Sequence, residues 1–223
     1  MSYTACKSAI PTQTAPAAKQ FSIPARFLLM CAVLAVLISG CGQPKPIRYY
    51  EISYPAVGPV KQEPLNNATL LVRAFTTSHL YREDRIVYGS DSEQMGTYQN
   101  ERWSEPPAEM LQNALVRELH SSGRFRYVTA LRSDSSGDFV LTGHLYDFKE
   151  VSGNGIVARI SFDAELRDLK AGKTAWTYTY NHDEPSNGKD VAAVVAAMDR
   201  NVQRSVQEVE AGVLQALAAY PAK

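Results

Sequence analysis

Cysteine is scarce in this chain and confined to its first part: Cys6, Cys31 and Cys41 are the only three in 223 residues. A domain built beyond residue 41 has no thiol left to pair, so packing alone must hold it. No apolar run reaches the ~20 residues that a membrane-spanning helix needs. No cluster of lysines and arginines occurs, and the 23 basic and 23 acidic residues cancel, which excludes nucleic acid as a partner. There is no nucleophile elbow, phosphate loop or Cys/His zinc pattern. The four histidines, His79, His120, His144 and His182, lack a partner at the spacing of a metal-binding helix motif. No cofactor or metal is expected, and an enzyme is not the favoured reading.

What is present begins with one uninterrupted run, Phe27 to Ile38, of twelve apolar residues behind Arg26, with no acidic residue upstream. Apolar cores of about 7–15 residues that stop at small residues mark secretory signals rather than spans. A buried core helix would show polar residues at a period near 3.6, and this run shows none. The stop reads Ile38-Ser39-Gly40-Cys41, which resembles the bacterial lipobox, whose cysteine is acylated and becomes the first mature residue. The expected boundaries are a signal peptide over 1–40, a lipidated tether over 41–48 stiffened by Pro44 and Pro46, and one domain over 49–223. Gly42, in place of the aspartate that commonly retains such proteins at the inner membrane, favours the outer membrane, with the domain facing the periplasm.

Within the domain, Tyr49–Tyr54 and Ala68–Phe75 read as strands. Leu80–Tyr88 and Thr97–Trp103 read as two short strands or a ribbon. Ser104-Glu105-Pro106-Pro107 opens a helix with a hydroxyl cap and an early acid, and Leu111, Leu115 and Leu119 continue as one stripe until Gly123. Three β-runs follow Arg126–Ala130: 138–151, 156–169 and 173–182, separated by tight turns. The middle run alternates Ala158, Ile160, Phe162, Ala164 and Leu166 with polar residues, one dry face and one wet. From about Asp190 to Ala219, apolar positions from Val191 through Val202 and Val206 to Leu217 recur at three and four, giving a helix of ~45 Å. These elements predict an α+β, two-layer domain: a mostly antiparallel sheet with two helices packed on it, the second long and C-terminal.

Three stretches then acquire a shared meaning: Tyr49-Tyr50, Leu80-Tyr81-Arg82-Glu83-Asp84-Arg85-Ile86-Val87-Tyr88, and Arg102-Trp103-Ser104-Glu105-Pro106. Together they resemble the ABC-type transport auxiliary lipoprotein family, in which a Tyr-Tyr strand follows the tether and an Arg-Trp-x-x-Pro sequence opens the first helix. Arg82-Glu83-Asp84 and Gly89 depart from that pattern. The resemblance implies a non-enzymatic accessory that works beside an MCE-domain (mammalian cell entry) protein and an ABC permease moving lipids between membranes. An outer-membrane assembly lipoprotein and a lipid-anchored hydrolase are the alternatives.

Tyr81, Arg82, Arg85, Tyr88 and Trp103 are of the types enriched at interface centres, and they form the candidate surface toward that partner or a second copy of the chain. For Trp103 the competing reading is that it packs the following helix onto the sheet.

Overall fold

The structure, a computed structural model, describes residues 45–54, 67–90 and 94–219. The expected signal segment and Cys41 lie outside the described residues. In chain order the elements are β1 (Arg48–Tyr50), β2 (Thr69–Val72), β3 (Thr76–Thr77), a 3-10 turn (His79–Tyr81), β4 (Arg85–Ser90), β5 (Met95–Trp103), α1 (Pro107–Ser121), β6 (Tyr127–Ala130), β7 (Phe139–Ser152), β8 (Ile156–Asp168), β9 (Lys173–Pro185) and α2 (Val191–Ala219). The fold is α+β: one sheet, with two helices on one of its faces.

Strands β7, β8 and β9 form an antiparallel meander, with Phe162 of β8 opposite Leu145 on one side and Tyr180 on the other. The strict alternation in β8 makes this inevitable, because shifting the register by one residue would turn every apolar side chain to water. Ala158, Ile160, Phe162, Ala164 and Leu166 are all buried beneath α2. The other edge of β7 is shared by three short parallel strands laid end to end: β2 along Phe139–Leu141, β3 along His144–Leu145, and β4 along Lys149–Ser152. Parallel pairs also join β2 to β6 and β1 to β5, while β4 and β5 pair antiparallel. Most paired residues are antiparallel, as the turns predict, yet the sheet is mixed.

The first strand is shorter than expected because Ile52 turns into the core and the Ser53 amide donates to Asp199 Oδ1 of α2 at 2.8 Å. Ser104 does not cap α1; the cap position is held by Pro106, which has no side-chain oxygen to offer. Gly123 takes φ 67 just past the helix, a left-handed conformation that glycine adopts at little cost.

Helix α2 carries the long stripe, with Val202, Val209 and Val213 essentially inaccessible. Burying each such side chain contributes roughly 1.5–3 kcal/mol. Two polar residues lie within the stripe: Asn201 and Ser205 are both fully buried. The Asn201 amide donates to the carbonyls of Ala158 at 2.7 Å and His182 at 2.9 Å, and its oxygen accepts from the Tyr180 hydroxyl at 2.6 Å. Asn201 thereby fixes the position of α2 along the sheet. Beside it, Arg200 bonds Glu184 at 2.9 Å, and Tyr178 donates to Glu208 at 2.5 Å.

Candidate interaction surface

The five residues singled out around β4 and β5 do not form one surface. Tyr81 and Trp103 are corrections: they are 2% and 1% exposed, and neither can meet a partner. For Tyr81 the cause is local. The stretch is not a strand from Leu80 onward; the 3-10 turn His79–Tyr81 breaks the alternation and rotates Tyr81 inward. Burial, followed by the nearby Asp147 carboxylate, pushes its phenol pKa up. Trp103 meets Phe148 edge to face at 5.5 Å, so the packing reading holds for it.

Arg82, Arg85 and Tyr88 are exposed. Arg82 donates to the Thr77 carbonyl at 3.3 Å, and Arg85 pairs with Glu83 at 3.1 Å, so both guanidinium groups are held near the start of β4. Tyr88 lies three residues further along, ~10 Å at strand rise, beside a different set of groups. Its ring lies over Gly96, where a Cβ would come within 2.7 Å of the phenol, and it is 4.9 Å from the ring of Tyr98. Tyr98 in turn donates to Glu150 at 2.6 Å, and Ser152 donates to the other oxygen of that carboxylate at 3.1 Å. Burial first, then Glu150, raises the Tyr98 phenol pKa.

This arrangement depends on an irregularity in β5. The register with β4 jumps from Arg85↔Arg102 to Val87↔Thr97, leaving extra residues on β5. Arg102 closes the bulge by donating to the carbonyls of Tyr98 at 2.8 Å and Glu101 at 3.0 Å. Met95, 51% exposed, is the first residue of β5. Tyr98, Gly96 and Met95 are not among the residues that sequence reasoning singles out. The signal that was available is a glycine placed between β-formers, which marks a site where something lies across the backbone.

The sheet face away from the helices is polar, with an open cavity of ≈ 690 Å³ lined by Arg73, His144, Asp163 and Glu165 among others. Asp163 accepts from Tyr146 at 2.6 Å and Thr179 at 2.7 Å; these bonds, Tyr146 first, hold its pKa below the usual carboxylate value. Glu165 accepts from Thr174 at 2.5 Å. The Asp163 carboxylate is therefore a poor proton acceptor, because its hydrogen bonds favour the charged form. Among the described residues no group of His, Cys, Asp or Glu is placed to hold a metal.

Fold and surface together define a small α+β domain whose conspicuous exposed chemistry is aromatic, aliphatic and ion-paired. The family model for the ABC-type transport auxiliary lipoprotein component matches residues 50–210, and the chain belongs to that family. A crystal structure from Xanthomonas campestris, of a protein in the DUF330 family, is 22% identical with a TM-score of 0.67, covering 76% of this chain and 96% of its own. A second crystal structure, of an uncharacterized protein, is 18% identical with a TM-score of 0.61 over 76% and 99%. The PelC dodecamer from Paraburkholderia phytofirmans is 13% identical with a TM-score of 0.43 over 71% and 92%. The first two likenesses concern the fold alone. No curated protein matches the chain. Family membership makes this chain an auxiliary lipoprotein of ABC-type transport, associated with a membrane.

Proposed function

We propose that the chain is exported, acylated on Cys41 and held at the outer membrane facing the periplasm, where it serves as a non-enzymatic accessory of an MCE-domain protein and ABC permease that move lipid between membranes. The observation that carries this reading is the pairing of a family match over residues 50–210 with Ile38-Ser39-Gly40-Cys41 upstream of it. The fold is consistent with an accessory role, since the prominent carboxylates described above are committed to hydroxyl or guanidinium partners. Arg82 and Arg85, exposed at the start of β4, are the residues proposed to meet the partner protein. Arginine is enriched at interface centres. Assembly with a second copy is an alternative use of the same pair.

The test has two arms. Metabolic palmitate labelling of wild type and Cys41→Ala is expected to label wild type alone; equal labelling rejects the anchor. Co-purification with the MCE-domain protein is expected to fall for the double variant Arg82→Glu, Arg85→Glu while its circular dichroism stays unchanged. Undiminished co-purification moves the contact elsewhere.

A further inference from the structure

The chain leaves the domain at one particular place. Lys45 and Pro46 lie against Tyr98, Gln99, Asn100 and Glu101, around an open cavity of ≈ 420 Å³. From there, β1 runs parallel to β5, with Arg48 beside Glu101 and Tyr50 beside Trp103. Only four residue steps separate Lys45 from Cys41. Even fully extended they reach ~14 Å. If Cys41 carries lipid, as in the function proposed above, the bilayer that holds it lies within about that reach of Lys45, beside the edge formed by β1 and β5.

Exposed apolar side chains collect at this same place. The described residues have seven large exposed hydrophobics, and three of them, Ile47 at 51%, Tyr88 at 41% and Met95 at 51%, belong to this end. Ile47 is on the departing chain, whereas Tyr49, paired with Arg102, is level with the start of β4. Tyr88 and Met95 are on the β4–β5 hairpin, joined to the departing chain through Tyr98. The register places Gly89 beside both Met95 and Val151 and Ser90 beside Ser152, so the described ends of β4 and β5 lie next to the turn Gly153-Asn154-Gly155 between β7 and β8. Lys45 and Arg48 are exposed nearby; Arg48 pairs with Glu101 at 3.9 Å and lies beside the Tyr50 hydroxyl.

We infer that this end of the sheet is a bilayer-docking surface: Ile47, Tyr88 and Met95 enter the headgroup region of the membrane that holds the anchor, with Lys45 and Arg48 toward lipid phosphates. Tyrosine, with an apolar body and a polar tip, favours the membrane interface, and basic side chains beside it are drawn to anionic headgroups. A lipid chain alone would leave the domain free to tumble on its tether. Docking fixes its orientation and points the opposite end, the turn at Ala171-Gly172, away from the membrane by about 40 Å, the length of the thirteen residues of β8.

The test uses the full-length lipidated protein in vesicles of phosphatidylethanolamine and phosphatidylglycerol. Beyond Cys41 the chain has no cysteine, so single cysteines introduced by Met95→Cys, Asn154→Cys and Ala171→Cys can each carry a nitroxide. Power saturation against oxygen, which partitions into lipid, and a water-soluble nickel chelate reads the depth of each. Labels at 95 and 154 are expected to be relaxed more by oxygen than by nickel, with the reverse at 171. Overturning results are labels at 95 and 154 as nickel-accessible as that at 171, or shielded from both reagents, which indicates a protein contact. Vesicle flotation of the wild type reports the anchor separately: flotation with water-exposed labels rejects docking alone, whereas a wild type that does not float rejects the anchor.

Discussion

Gly212 of α2 lies against the ring of Trp176 on β9: a Cβ at that position would overlap the indole Cζ2 and come 2.8 Å from Cε2. Two opposing effects act at this site. Replacing a mid-helix glycine with alanine favours the helix by about 1 kcal/mol. Forcing a methyl into an occupied space costs roughly 1–3 kcal/mol, and here the clash is with a rigid ring stacked on Tyr178 at 5.5 Å. Gly212→Ala is therefore expected to lower the melting temperature. In a Trp176→Leu background the same change should raise it; an increase in both backgrounds would mean that the ring moves aside freely.

Asn201 offers a second measurement. Substituting it by alanine removes the acceptor at 2.6 Å from Tyr180 and two donations to sheet carbonyls. The expected loss is about 2 kcal/mol, within the range for unsatisfied buried groups. Tyr180→Phe should lose less. A double-mutant cycle read by chemical denaturation should give a coupling above ~0.5 kcal/mol. Additive losses would show that the two residues act independently.

Acid sensitivity has a sign that can be worked out. Arg159 chelates Asp183 through two bonds of 2.7 Å, and Arg200 with Arg204 surrounds Glu184. Arg159 chiefly lowers the pKa of Asp183 below 3.8, and Arg200 chiefly lowers that of Glu184 below 4.5. The folded state thus binds fewer protons, so these pairs contribute fully above the unfolded values and are lost as pH falls through the folded ones. Asp199 and Glu210, raised by burial, act oppositely, so the comparison must be with a variant. Between about pH 5 and pH 3, Arg200→Gln should lose less stability than wild type. Parallel melting curves across that range would count against it.

The residues around β4 separate by location. Tyr81→Ala and Trp103→Ala empty large buried volumes and should cost about 3–5 kcal/mol each. Arg85→Glu, on a half-exposed ion pair, should stay within ~0.5 kcal/mol of wild type. Trp103→Phe should be milder than Trp103→Ala, because the indole Nε1 has no partner among the described residues and little beyond ring volume is lost. A folded, stable Tyr81→Ala would contradict the burial of that ring.

These contrasts show where the sequence is legible. The meander and α2 can be read because their apolar periods are long and unbroken, from Ala158 to Leu166 in β8 and from Val191 to Leu217 in α2. Parallel pairings of two to four residues, such as Thr76-Thr77 against His144-Leu145, leave no periodic trace, since each depends on a strand more than fifty residues away. Tyr81 is misleading because a 3-10 turn shares its composition with a strand end. Asn201 and Ser205 look like interruptions of the stripe, although they share the i, i+4 row of Ala197 and Val209 and are buried with it. At the surface, Arg82, Arg85 and Tyr88 are recognisable by residue type; which of them stand together is decided by a bulge in β5.

The edge of β7 that receives β2, β3 and β4 has a further consequence for how the molecule comes into being. A ribosome delivers those three segments well before residues 139–152 that join them. Until then β3 has no neighbour, and β2 and β4 have only the short strands β6 and β5, pairings too small to persist unaided against the entropy they cost. The β7–β9 meander, by contrast, closes through local turns and can precede them. The nascent chain therefore carries β2, β3 and β4 for some time without the central strand that aligns them, with β4 held only by β5 and β2 only by β6, and the template that organises them is the part made later.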